Sequence, residues 1–308
     1  MIFHTRYLLA GAVLLLLAAC AKPTESRLDD VPDGLSGIQF GSDSTLEVVT
    51  WNLKEFPLVG QQTVDYVAQI IFYLQIDVVG FQEIGDGPSF YAIVDRLNQL
   101  DQDGGWLGYL AKDYSGGFMM ELAYIVNTDQ VLVDSPPVEI YQSEGSAFPR
   151  EPYVLTVTKS GESYTIINNH LKAMSDADSE ARRRSACLLL EDYIEQNLAT
   201  DNVIIIGDWN DELTDDENDN VFWNFISQPD GFKFIDMDIA NGPKSGFSYP
   251  TWPSHIDHIL ITSPLFDEAE EEQSEIRVIR IDEYLDGGWY QYEENVSDHC
   301  PVAWRFAP

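Results

Sequence analysis

Apolar and polar positions divide this chain into two unlike parts. From Leu46 onward, short runs of β-branched and aromatic residues alternate with stretches whose apolar residues recur three and four positions apart. Leu46–Leu53 and Asp77–Gln82 are the first two runs, and between them Val64, Val67, Ile71 and Leu74 share one helix face, a β-α-β opening. Further strands are predicted at Met119–Val126, Pro152–Thr158, Ser163–Asn169, Val203–Ile206, Ile256–Ile261 and Pro301–Phe306. A long helix should run from about Ser179 to Gln196, capped by Asp or Ser, with Ala186, Leu189, Leu190 and Tyr193 apolar. Val203-Ile204-Ile205-Ile206 and Asp77-Val78-Val79-Gly80 are apolar on both faces, as strands covered on both sides must be. A layered α/β fold follows, and with no short repeat and no internal linker, residues 44–308 read as one domain.

The first part has a different pattern. A short basic start (His4, Arg6) precedes an apolar run from Tyr7 to Ala19, about a dozen residues and too short for the roughly twenty that span a bilayer. Residues 1–19 therefore read as an export signal. Leu17-Ala18-Ala19-Cys20 resembles the bacterial lipoprotein signal, which implies that Cys20 becomes the lipid-bearing first residue. Ala21, rather than Asp, resembles the pattern of lipoproteins that proceed to the outer membrane of Gram-negative cells, so the expected location is the cell envelope, on its periplasmic or its surface face. Residues 20–43, rich in Pro, Gly, Ser and Asp without an apolar period, are expected to form a flexible tether.

Charge narrows the choice of partners. Against 52 Asp and Glu there are 17 Lys and Arg, a formal charge of −35. Such a surface repels polyanions at long range, an effect that salt screens. The acidic runs Asp211–Asp219 and Asp267–Glu275 lack the spaced ligand pattern of a calcium loop and read as solvated surface. Besides Cys20 only Cys187 and Cys300 are present, one in a helical pattern and one opening a strand, and both are expected to be buried thiols.

The chemistry gathers where strands end. Trp51-Asn52 ends the first strand and Gln82-Glu83 the second; Asn168-Asn169-His170 ends a central one. Gly207-Asp208-Trp209-Asn210 follows Ile206, His255-Ile256-Asp257-His258 opens a late strand, and Ser297-Asp298-His299 precedes the last. Carboxylates and amides along one sheet edge make a set of hard oxygen donors suited to Mg²⁺ or Mn²⁺. Each pair alone says little, but the ordered set makes coincidence a poor explanation.

This set, covering about residues 46–306, resembles the endonuclease/exonuclease/phosphatase superfamily, which includes deoxyribonuclease I, apurinic endonucleases, sphingomyelinases and inositol-polyphosphate phosphatases. The resemblance implies a four-layer α/β sandwich, two packed mixed sheets flanked by helices, acting as a divalent-metal phosphoester hydrolase. It places Asn52 and Glu83 at the metal, with Asp298. Asp208 and Asn210 match the pair that positions water and phosphate, and Asp257 orients His299. Phe148-Pro149-Arg150-Glu151-Pro152 resembles a deoxyribonuclease I segment, and Glu121 then falls where that family places the partner of His170. The expected division of labour makes His299 the base and His170 the acid or phosphate-polarising group, with Asp208 also matching a water-activating position. Mg²⁺ or Mn²⁺ is the expected ion, with Ca²⁺ a third choice.

Lys172 is a candidate phosphate contact, whereas Arg182, Arg183 and Arg184 are expected to pair with Asp178 and Glu180 on their own helix. The arginine that deoxyribonuclease I uses in the minor groove has no counterpart at Ile84 and Gly85, and its tyrosine ahead of the Glu121 position is replaced by Met119 and Met120. Ile256-Asp257-His258-Ile259-Leu260 resembles the nuclease form of the late motif. An exported monomeric nuclease is therefore the first expectation. A phosphodiesterase or phosphatase acting on phospholipid or a small phosphoester is the second, and an inactive surface-binding lipoprotein the third.

Overall fold

The β-branched runs pair into two six-stranded sheets in a computed structural model that describes residues 33–101, 104–112 and 120–308. In chain order the elements begin with β1 (Leu46–Phe56), α1 (Gln61–Leu74), β2 (Val78–Ile84), α2 (Gly87–Leu100), β3 (Trp106–Leu110), β4 (Glu121–Asn127), β5 (Leu132–Glu139), β6 (Tyr153–Lys159) and β7 (Glu162–His170). There follow α3 (Ala177–Asn197), β8 (Asn202–Asp208), α4 (Trp223–Ile226), β9 (Phe232–Phe234), α5 (Met237–Ala240), β10 (Asp257–Thr262), α6 (Phe266–Glu270), β11 (Glu275–Val278), α7 (Gly288–Asn295) and β12 (Val302–Phe306). The first sheet has the order β11-β12-β1-β2-β4-β3 and the second β5-β6-β7-β8-β10-β9. Both are mixed: β1 and β2 run parallel in one, β7 and β8 in the other, and the remaining pairs are antiparallel. The residue pattern predicts a layered α/β fold, and the two sheets form the four-layer sandwich that the family resemblance implies.

The two-sided apolar strands lie where the sheets meet. Val78, Val79, Val203, Ile204, Ile205 and Ile206 are fully buried. Gly80 stands where a Cβ would come 2.5 Å from Ile206 Cδ1, so the close approach of the sheets excludes a side chain there. Polar pins cross the interface: Gln82 Nε2 donates to Asn168 Oδ1 at 2.7 Å, and Tyr124 Oη donates to the carbonyls of Tyr153 and Ile166. Outside the second sheet, Ala186, Cys187, Leu190 and Ile194 of α3 pack with Ile167, Val203, Ile205 and Trp209. The cap of α3 is Asp176, which accepts from the Ser179 N–H at 3.1 Å. Cys187 and Cys300 are both buried free thiols, as expected.

Four strands escaped the sequence pattern. β5 contains Pro136 and Pro137 and is mostly exposed at a sheet edge, β9 has three residues, β3 is half-buried, and β11 begins inside the second acidic run. The domain also begins earlier than residue 44. Within the expected tether, Leu35, Ile38 and Phe40 are buried, and the Phe40 and Gly41 N–H groups donate to the Leu74 carbonyl at the end of α1. Residues 1–32, and with them the expected signal and Cys20, lie outside the described residues, as does Met119 at the start of an expected strand. Among the described residues no helix is long and apolar enough to cross a membrane.

Candidate active site

Strand ends from both sheets converge on Asp208, the last residue of β8. Parallel pairing sets it beside His170 at the end of β7, and antiparallel pairing sets it opposite Asp257 at the start of β10. Gly207 makes this closure of β7 on β8 possible, because a Cβ there would sit 2.1 Å from the Asn169 carbonyl oxygen. From the other sheet, Asn52 donates through Nδ2 to Asp208 Oδ2 at 2.9 Å and to Glu83 Oε1 at 3.3 Å. A bulge in β1 turns the chain there: Lys54 and Glu55 have φ of 42° and 48°, and their N–H groups donate to Asn52 Oδ1 and Glu83 Oε2. Asn52, Glu83, Asp208 and His170 thus form one connected group, with His170 Nε2 at 3.5 Å from Asp208 and 3.9 Å from Glu83.

The second group is built on His299. Its Nδ1 lies 2.8 Å from Asp257 Oδ2, as expected, and its Nε2 lies 3.9 Å from Asp298 Oδ1. The Tyr249 ring lies against it, tilted by 33°, at a centroid distance of 4.7 Å. Ser297 fixes the segment by donating to the Asn52 carbonyl at 2.7 Å, and so joins the two groups.

Three expectations differ from the geometry. No hydrogen bond joins Glu121 to His170: the buried His170 Nδ1 has no partner, and the carboxylates in reach of its Nε2 are Asp208 and Glu83. Lys172 turns its ammonium onto the Ala173 carbonyl at 2.9 Å. The three arginines do not pair along their helix. Arg182 donates to the Gly145 and Ser146 carbonyls, Arg184 to those of Asp219 and Asn220, and Arg183 is buried against Asp211. α3 is docked against other segments through the face that carries them, and a one-dimensional spacing rule cannot see that.

Two cations at the rim were not read as site residues. Arg150, in the segment that resembles deoxyribonuclease I, donates to the Met120 carbonyl at 2.9 Å, and its charge bears on Glu83, Asp208 and Glu121. Lys54 forms an ion pair with Asp298 at 2.8 Å. Its sequence signal was a lysine two residues after a strand-end asparagine.

The charges of the chain itself push the titratable groups apart. Burial first, then the Asp257 carboxylate, raises the Asp208 pKa to about 7. Burial works against the charged form of His299, but Asp257, Asp208 and Asp298 outweigh it and raise the ring to about 10. His170 moves the other way, well below its ordinary value, through burial and the nearby Arg150 and His299 charges. Perturbed, divergent groups at one rim are the electrostatic mark of a working site.

The donors also suit a hard divalent cation. Single ligand atoms of Asp208, Asp257 and His299 lie within 4.8 Å of one another, and the buried Asp257 Oδ1 has no hydrogen-bond partner. Glu83 adds a half-exposed carboxylate beside Asn52.

A layered sandwich whose strand ends gather carboxylates, amides and two histidines defines a hydrolase of the metal-assisted phosphoesterase class. The chain belongs to the Endonuclease/Exonuclease/phosphatase family, whose sequence profile matches residues 49–299, and it is a phosphoester hydrolase. No curated protein matches it by sequence. Among solved structures it is similar to D. rerio TDP2 complexed with single-strand DNA product, at 18% identity and a TM-score of 0.60, over 86% of this chain and 100% of that one. It is also similar to a Bacteroides thetaiotaomicron mannosyl-6-phosphatase, at 15% identity and a TM-score of 0.59, over 85% and 99%. An endonuclease/exonuclease/phosphatase from Bacteroides vulgatus gives 16% and 0.58, over 85% and 98%. At these identities the likeness is one of fold.

Proposed function

We propose that the chain hydrolyses phosphodiesters with a divalent cation, Mg²⁺ or Mn²⁺ before Ca²⁺, and that nucleic acid is its first substrate class. The observation that carries the reaction is the convergence of both sheets on the buried Asp208, whose pKa of about 7 suits a group that must take and release a proton near neutrality. Asp208 is therefore the better base, in place of His299. With its pKa at about 10 the His299 ring holds its proton at neutral pH, and Asp257 fixes the ring so that Nε2 can donate to a phosphate oxygen or to the departing one. His170, kept neutral, donates a hydrogen bond without adding a charge. Asn52 and Asn210 orient carboxylate, water and phosphate, and Arg150 offsets the negative charge around Glu83 and Asp208. The cation would be held by Glu83 and Asn52 with Asp208 alongside, and it supplies neutralisation of the charge that grows on the phosphate oxygens. Asp298, held by Lys54, stands on the His299 side of the rim.

The nuclease-like late motif and the DNA product named for D. rerio TDP2 support nucleic acid. A specific observation favours small or lipid phosphoesters as the second reading: a formal charge of −35 opposes the approach of a polyanion, and one neighbour is a mannosyl-6-phosphatase. A panel of plasmid DNA, RNA, sphingomyelin, a sugar phosphate and a chromogenic phosphodiester, each with and without Mg²⁺, separates them. Cleavage of lipid or sugar phosphate but not nucleic acid would overturn the first reading. Inactivity on all of them with Mg²⁺, Mn²⁺ and Ca²⁺ would favour a binding protein. Export and lipid attachment at Cys20 belong to the same proposal, supported by Leu17-Ala18-Ala19-Cys20. Labelled palmitate incorporated by the wild type and not by Cys20→Ser would bear it out.

A further inference from the structure

The turn that carries Asp208 and Asn210 is held by its next residue, Asp211. Asn210 has a left-handed backbone (φ 56°), which residues with a Cβ adopt at a cost, so the turn needs fixing from outside. Asn210 makes two contacts itself, from its N–H to Asp208 Oδ1 at 3.0 Å and from Nδ2 to the Leu171 carbonyl at 3.1 Å. The Trp209 N–H and ring N–H donate to the Ile256 and His258 carbonyls at 2.8 and 3.1 Å, the Leu171 N–H donates to the Asp208 carbonyl at 2.9 Å, and Asp211 adds a charged tie. Its Oδ2 receives Nε and Nη2 of Arg183, both at 2.8 Å, while Arg183 Nη1 donates to the carbonyls of Lys172 and Met174 at 2.7 and 2.6 Å. One guanidinium, 2% exposed, thus ties the turn after β8 to the loop after β7, the segments from which Asp208, Asn210 and His170 emerge.

The same residue is held from the opposite side. The Asp211 carbonyl accepts from His258 Nε2 at 2.9 Å, and His258 Nδ1 lies 2.6 Å from Asp236 Oδ2, which also meets His255 Nε2 at 2.9 Å. A carbonyl and a carboxylate only accept, so His258 carries both ring protons and its charge is balanced by Asp236. On β10, Asp257 orients His299 while the adjacent His258 holds the Asp208 turn.

We infer that Arg183, Asp211 and His258 are positioning residues that set the spacing of Asp208, Asn210 and His170 without touching the substrate. The inference rests on the reading of Asp208 and Asn210 as working residues. A planar fork with three acceptors on two loops specifies a distance, which a compact ammonium cannot do. Buried charges are costly unless paired, so their retention here fits a demand for geometry.

Two conservative variants test it. Asp211→Asn keeps volume and carbonyl but loses the charge, and Arg183→Lys keeps the charge but loses the fork. Steady-state kinetics on bis(p-nitrophenyl) phosphate with Mn²⁺ should show kcat lowered by about 10- to 100-fold with KM little changed, as for misplaced reacting groups. Hydrogen exchange should quicken in peptides covering 170–175 and 207–212, with β1 still protected. Arg183→Gln, if it fails to fold, leaves the two milder variants to decide. Folded variants with unchanged kcat and unchanged exchange in both segments would overturn the clamp. If the wild type cleaves no phosphoester, the functional reading fails by itself and exchange decides the clamp: faster exchange in both loops supports it, and in neither loop refutes it.

Discussion

Replacing Asp208 by Asn should make the protein more stable and much less active, and the two effects have one cause. The carboxyl is 2% exposed and its pKa is raised to about 7. Between about pH 4 and pH 7 the folded chain keeps a proton that the unfolded chain has released, so this residue's contribution to stability falls as pH rises through that window. Three pH units correspond to about 4 kcal/mol at pH 8, an upper bound because the His299 charge is coupled to it. Against this, the new amide would turn a donor toward Asn52 Nδ2, now 2.9 Å from Oδ2, at a cost of about 1–3 kcal/mol. The net gain of about 1–3 kcal/mol should raise the melting temperature at pH 8 by roughly 2–10 °C in chelator-treated protein, and at pH 4, where the ionisation term is gone and only the cost of the amide remains, the variant should melt below the wild type. Millimolar Mg²⁺ should then stabilise the wild type more than the variant, because a cation that binds only the folded site adds its binding free energy. Turnover with Mg²⁺ or Mn²⁺ should drop by about 10²- to 10⁴-fold. A variant less stable than the wild type at pH 8, or one keeping more than a tenth of the wild-type kcat, would refute the reasoning.

Other consequences follow from the same charges. Glu47, buried beside Asp77, has its pKa raised to about 8, first by burial and then by that carboxylate, so stability should fall by up to ~1.4 kcal/mol per unit as pH rises from about 5 to 8. Glu47→Gln should flatten that dependence in thermal melts, and an unchanged slope counts against it. Lys159→Met removes the cation 2.6 Å from the buried Asp77 and should cost about 3–5 kcal/mol in urea unfolding at pH 7; a loss below about 1 would mean the pair is not desolvated in solution. Asp257→Asn takes away the strongest stabiliser of the His299 proton, and the alkaline limb of the kcat profile should move to lower pH; a limb that stays in place would rule out His299 as its source. Added NaCl, up to about 0.2 M, should speed cleavage of DNA relative to that of the singly charged bis(p-nitrophenyl) phosphate, because screening weakens repulsion of the polyanion from the acidic surface.

The sandwich was legible because its central strands are apolar on both faces, a pattern that little else produces over four or more residues. The candidate site was legible because its residues stand at strand ends, Asn52, Glu83, His170 and Asp208 closing a run and His299 just ahead of one. What escaped notice depends on contacts distant in sequence. Leu35, Ile38 and Phe40 are isolated apolar residues in a polar stretch, and only α1 and the neighbouring strands make them core. Arg183 looks like its neighbours Arg182 and Arg184, yet the turn of α3 that buries it also gives it Asp211 and two carbonyls. The family resemblance pairs His170 with Glu121, while strand register places Asp208 beside it.

The register also explains why one residue combines several demands. Asp208 is paired along the sheet with His170 on one side and Asp257 on the other, and across the sandwich with Asn52. Any of these neighbours alone would leave an ordinary buried acid. Together they hold it among carboxylates without a guanidinium in direct contact, so its charge is met by His299, within 4.8 Å, and by the amide of Asn52. An arginine at salt-bridge distance would drive its pKa down and take up the negative charge that a bound cation would otherwise meet. Arg150 is near enough to be felt but donates to the Met120 carbonyl, and Lys54 is taken by Asp298. The site thus keeps its own cations one step from Asp208, which leaves the negative charge of this rim for a divalent ion to balance.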